Sequence, residues 1–99
     1  MKSGYNISWT PNALNELEET IKYLQKNFSD KEITKLARKI ESFSEIISQN
    51  PYIFPMSEHT NIHKAIILTF NTAYYRIKNN NVEILSFFSN RQSPVKIKI

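Results

Sequence analysis

The chain contains no cysteine and a single glycine, Gly4. It also has no apolar run near the roughly 20 residues that a membrane-crossing helix needs. Without cysteine there is neither a disulfide framework nor a thiolate metal site, and nothing calls for an oxidising compartment. One glycine is too few for a glycine-rich phosphate loop. Residues 1–10 lack the apolar core of a signal peptide, so a soluble cytoplasmic protein with no membrane partner is expected. At 99 residues, one domain over 1–99 with a modest core is expected.

Acids are scarce in one half of the chain only. Residues 1–50 hold seven cations (Lys2, Lys22, Lys26, Lys31, Lys35, Arg38, Lys39) and seven acids (Glu16, Glu18, Glu19, Asp30, Glu32, Glu41, Glu45). Residues 51–99 hold six cations (Lys64, Arg76, Lys78, Arg91, Lys96, Lys98) and two acids (Glu58, Glu83), which accounts for the net charge of +4. That excess would attract RNA, DNA or an acidic protein. A solubilising surface is the plainer reading.

Tyr5, Ile7 and Trp9 alternate with Asn6 and Ser8 as in a half-buried strand, and Thr10-Pro11 then reads as an N-cap followed by proline at the first helical position. Leu14, Leu17, Ile21, Leu24 and Phe28 form a helical stripe, with Glu16, Glu18, Glu19, Lys22 and Lys26 on the outer face. Ser29 to Glu32 reads as a capping box opening a second helix. The stripe of this helix is Ile33, Leu36, Ala37, Ile40, Phe43 and Ile47, and Asn50-Pro51 stops it. The short link implies an antiparallel helical hairpin.

Residues 51–61 suit a loop. Ile62 to Phe70 is apolar enough for a central strand, with a turn expected at Asn71-Thr72. Ala73, Tyr75 and Ile77 then alternate with Tyr74, Arg76 and Lys78, which gives one wet, basic and aromatic face. Asn79 to Asn81 suits a tight hairpin, Val82 to Ser89 a returning strand, and Val95 to Ile99 an edge strand or loose end. The expected architecture is α+β, in the order β-α-α-β-β-β, with the hairpin packed on one face of a small, mainly antiparallel sheet.

His59 and His63 sit at a metal-ligand spacing beside Glu58, but on a loop entering a strand and with no further ligand evident, so no metal and no cofactor are expected. Metal-free RNA cleavage needs a base for the 2′-hydroxyl, cations for the transition-state charge and an acid for the leaving oxygen. His63, Lys64, Tyr74, Tyr75, Arg76 and Arg91 are the residues able to supply them. The plainer reading of the tyrosines is strand packing, and of the cations a solvated edge.

Three segments, in order over nearly the whole chain, resemble the RelE/ParE superfamily of toxins from type II toxin–antitoxin modules. They are Trp9 to Leu17, the segment from Asn50 to Pro55 leading to His63-Lys64-Ala65, and Tyr74 to Lys78 followed by Ile84 to Pro94. The resemblance implies this same fold and a growth-inhibiting toxin, of the kind tied to plasmid stabilisation, held inactive by a wrapping cognate antitoxin. RelE-like members cleave mRNA on the ribosome, whereas ParE-like members poison DNA gyrase without being nucleases.

Arg91 falls where RelE-like nucleases keep a catalytic arginine, and Lys64 lies near their basic pair. Where they place another arginine and a late tyrosine or histidine, this chain has Thr72 and Ser93-Pro94-Val95. A ParE-like toxin is therefore the favoured expectation. If the chain is a nuclease, Arg91, Lys64 and Tyr75 are the catalytic candidates. Target or nucleic-acid contacts are expected from His63, Tyr74, Arg76, Lys78 and Lys96. A non-toxic nucleic-acid-binding module with bases stacked on the open sheet face is the third reading. Whether the chain forms a homodimer is left open.

Overall fold

The computed structural model describes residues 4–89. Strand β1 (Asn6–Trp9) leads to helix α1 (Pro11–Asn27) and helix α2 (Asp30–Gln49), followed by β2 (His63–Leu68), β3 (Asn71–Lys78) and β4 (Asn81–Ser89). The expected β-α-α-β-β-β order is observed. The sheet runs β1-β4-β3-β2, with β1 parallel to β4 and the other neighbours antiparallel. Both helices pack on one sheet face around a core of Leu24, Leu36, Phe43, Ile47, Tyr75, Val82, Ile84 and Phe87. No helix among the described residues is long and apolar enough to cross a membrane.

Thr10 caps α1 as expected, its hydroxyl accepting from Ala13 N at 3.2 Å, and Pro11 opens the helix. The capping box at Ser29 is not formed. Ser29 is the N-cap without a side-chain bond, and its carbonyl accepts from Glu32 N at 3.0 Å instead. The stripe of α1 holds at Leu17, Ile21 and Leu24, which pack in or on the core, and fails at its ends: Ala13 and Thr20 are buried, while Leu14 and Phe28 are exposed. Thr20 enters the interior because its hydroxyl donates to Glu16 O at 2.9 Å, which satisfies its polar atom.

Glu16, expected on the outer face, turns to the sheet. Leu85 is the extra residue of a β-bulge in β4, since Tyr74 pairs with Ser86 and Tyr75 with Ile84. The bulge shifts the strand's period, so Val82 and Ile84 before it and Phe87 and Ser89 after it all point inward. Glu16 Oε1 accepts from Phe87 N at 2.9 Å and Ser86 Oγ at 2.7 Å, and Asn12 Nδ2 donates to Leu85 O at 3.0 Å. The start of α1 thereby holds the irregular part of β4.

The Ile62–Phe70 strand is corrected in both position and length. β2 is an edge strand that ends at Leu68, the turn is Thr69-Phe70, and Ile66 is 67% exposed. Its apolar run does not fill a central slot because β3 reaches its other neighbour, β4, through a two-residue turn at Asn79-Asn80. Asn79 takes φ 57°, as its residue type allows. At the opposite end, Gly4 is used for close approach: a Cβ there would lie 2.9 Å from Ser48 O, the atom that accepts from Tyr5 N.

Candidate target-binding face of the sheet

The helices cover one face of the sheet, and strand alternation places Lys64, Tyr74, Arg76 and Lys78 on the other. Lys64 lies opposite Tyr74 in the β2–β3 register. A loop folds over this edge: Ser57 N donates to Ile62 O at 2.9 Å, Lys64 N donates to Pro55 O at 3.0 Å, and Met56 bridges to His63. Between loop and strands is an open cleft of about 420 Å³ lined by Pro55, Met56, Ile62, Lys64 and Tyr74. Its walls are mostly apolar, with the lysine and the phenol at the sheet side. Further along the same face Ile66, Thr72 and Phe88 lie in one row, with Ile66 and Phe88 exposed.

The cations of this face differ in availability. Arg76 Nε donates to Glu83 Oε1 at 2.7 Å across the β3–β4 pair, so its charge is matched by a neighbour. Lys64 and Lys78 are exposed, and no salt bridge reaches them among the described residues.

His63 and Tyr75 face the interior. His63 is 3% exposed and Tyr75 0%. Their rings stack with centroids 4.9 Å apart and planes at 6°, and Phe54 and Phe43 meet the Tyr75 ring edge-on. His63 Nδ1 lies 2.8 Å from Phe54 O, and because a carbonyl only accepts, that nitrogen carries the proton. The Tyr75 hydroxyl donates to Pro51 O at 2.7 Å. Burial pushes the Tyr75 phenol up to about 12, with a backbone hydrogen bond at Phe54 acting the other way. These two residues pin the 51–55 loop to the sheet.

Arg91 and Lys96 lie outside the described residues. His59 sits on the exposed loop and His63 inside, and no group of three metal-ligating side chains occurs among the described residues. The cleft wall escaped the sequence reading, because Met56 and Ile62 are brought to Tyr74 by loop hydrogen bonds that no local pattern announces. Glu83 comes to lie opposite Arg76 because the turn takes two residues, Asn79-Asn80, which pairs Lys78 with Asn81.

No protein-family model matches the chain, and no curated protein does. Solved structures do. A chain of the chromosomal ParDE toxin–antitoxin system from P. aeruginosa superposes with a TM-score of 0.71 at 16% identity, covering 86% of this chain and 95% of that one. The YoeB dimer from Staphylococcus aureus gives 0.59 at 25% identity, covering 87% and 97%. The E. coli DinJ-YafQ toxin-antitoxin complex gives 0.59 at 9% identity, covering 92% and 98%. The order of elements, the helical hairpin on one sheet face and these superpositions agree: this chain carries the fold of the RelE/ParE superfamily of toxins.

Proposed function

We propose that this protein is the toxin of a type II toxin–antitoxin module, neutralised by a cognate antitoxin in the cytoplasm, and that it acts in the ParE manner on DNA gyrase rather than by cutting RNA. The observation that carries the choice is the fate of the reactive groups. Tyr75 and His63 are buried, with the phenol and the ring Nδ1 engaged by backbone carbonyls. Arg76 is matched by Glu83. Lys64, Lys78 and Tyr74 remain on the described face, two cations and one phenol, which can steady charge but supply no base of suitable pKa for a reaction that needs a base, an acid and charge stabilisation together. A phenol held near 12 is also far from the pKa near neutrality that favours a general base. By contrast, a mostly apolar cleft beside the exposed Ile66 and Phe88 suits contact with a protein target.

The test is induction without an antitoxin in a bacterial host, with a gyrase supercoiling assay beside mapping of RNA 5′ ends. Arrested supercoiling with intact mRNA is expected. Ribosome-phased cleavage that is lost in Arg91→Ala would overturn the choice in favour of a RelE-like endoribonuclease using Arg91 and Lys64. Normal growth with neither effect would overturn the toxin reading itself.

A further inference from the structure

Counted by halves, the first 50 residues are electrically neutral, yet the fold separates their charges. On α2, Lys31, Lys35, Arg38 and Lys39 fall within about 80–100° of one another around the helix axis, at the 100° per residue of an α-helix. All four are exposed. Lys35, Arg38 and Lys39, with Thr34 and Ser42, line an open surface groove of about 400 Å³. No acid lies between them. The acids of α2 flank the arc, and no salt bridge reaches these cations among the described residues, whereas Lys22 on α1 stands 3.9 Å from Glu18.

Lys31–Lys35 and Lys35–Lys39 are like-charge pairs at i,i+4 and Lys35–Arg38 is one at i,i+3; the opposite-charge pairs Glu32–Lys35 and Arg38–Glu41 at i,i+3 offset most of their cost to the helix. A surface serving only solubility would intersperse the signs. The groove also lacks the aromatic or aliphatic anchor that a protein interface uses at its centre. In its place Thr34 and Ser42 set hydroxyl donors beside the cations, a pairing suited to phosphate oxygens and indifferent to base identity. From Lys31 to Lys39 the helix rises about 12 Å, along which a duplex presents about seven phosphates.

We infer that the outer face of α2 is a docking strip for the phosphate backbone of a nucleic-acid duplex, read without sequence preference. It is separate from the sheet face and does not depend on the toxin reading. In a target that is itself a nucleoprotein complex, such a strip would hold the protein on the nucleic acid while the opposite face engages.

The test is fluorescence anisotropy of the full chain with labelled 20-base-pair DNA and RNA duplexes between 50 and 200 mM salt. Four phosphate contacts contribute a slope of about −3.6 in log K against log salt, or about a 150-fold loss of affinity over that range. The triple variant Lys35→Gln, Arg38→Gln, Lys39→Gln should lower the slope by about 2.7. It should keep its far-UV spectrum and melt close to the parent, since it removes three like-charge pairs together with two opposite-charge pairs of similar size. Loss with either duplex supports the strip, and the preferred duplex tells DNA from RNA. An unchanged slope in the triple variant overturns it, as does the same loss in Lys64→Gln, Lys78→Gln on the sheet face. Polyglutamate bound through the triple-variant residues, with neither duplex bound, would assign the strip to an acidic protein segment and overturn the nucleic-acid assignment.

Discussion

Replacing Glu16 with alanine removes the acceptor that holds the β4 bulge, and the cost can be worked from the three donors on its Oε1. Phe87 N at 2.9 Å and Ser86 Oγ at 2.7 Å are part-buried, whereas Asn12 Nδ2 at 3.2 Å is exposed. Hydrogen bonds to a charged partner contribute roughly 1.5–3 kcal/mol each, and an amide left unpaired costs roughly 1–3 kcal/mol. With the exposed bond discounted and water admitted to the partly open site, a net loss of about 3 kcal/mol is expected. For a domain of this size that is a fall in Tm of about 12–24 °C. Glu16→Gln retains an acceptor oxygen but no charge, and should lose about half as much.

The assay is urea denaturation followed by circular dichroism, with hydrogen exchange at the Phe87 amide as the local readout. The midpoint should fall at unchanged m-value, and Phe87 should lose protection before Tyr75 does. Glu16→Ala within about 0.5 kcal/mol of the parent would refute the account. The bulge would then be held by the sheet itself, with the carboxylate an onlooker.

Other consequences are equally open to measurement. The Tyr75 phenol is raised in the folded state to about 12 from its ordinary 10, so folding favours the neutral form. The stability it contributes is complete below pH 10 and lost as pH rises from 10 through 12, a change of roughly 2–3 kcal/mol. Urea midpoints across that range should show the decline, and Tyr75→Phe should remove that slope while costing about 1–2 kcal/mol at neutral pH through the unpaired Pro51 carbonyl. Thr10→Ala removes an N-cap whose hydroxyl also donates to Ile84 O at 3.0 Å, and a loss of about 1–2 kcal/mol is expected in thermal melts. A double-mutant cycle on Arg76 and Glu83 should give a coupling of only about 0.2–1 kcal/mol, because the side chains remain 49% and 26% exposed.

Much of this fold is written locally. Thr10-Pro11, Asn50-Pro51 and the Asn79-Asn80 turn mark element ends through φ restriction, capping and tolerance of positive φ, effects that act within a few residues. The alternation from Ala73 to Lys78 sorts β3 correctly into inner and outer faces. Where the sequence reading failed, the deciding partner was distant. Ile66 belongs to an apolar run yet lies exposed on an edge, because strand order depends on which neighbour β3 takes first. Glu16 looks solvated until a bulge 70 residues away offers it an amide and a hydroxyl.

The candidate site divides along the same line. By itself the sequence determined that a wet face would carry Tyr74, Arg76 and Lys78, since a period of two is a property of the strand. Tertiary structure alone decided that His63 stacks on Tyr75 under the 51–55 loop while Lys64 stands at a cleft. Burial and stacking depend on which elements meet, and that choice is made by packing the whole chain at once.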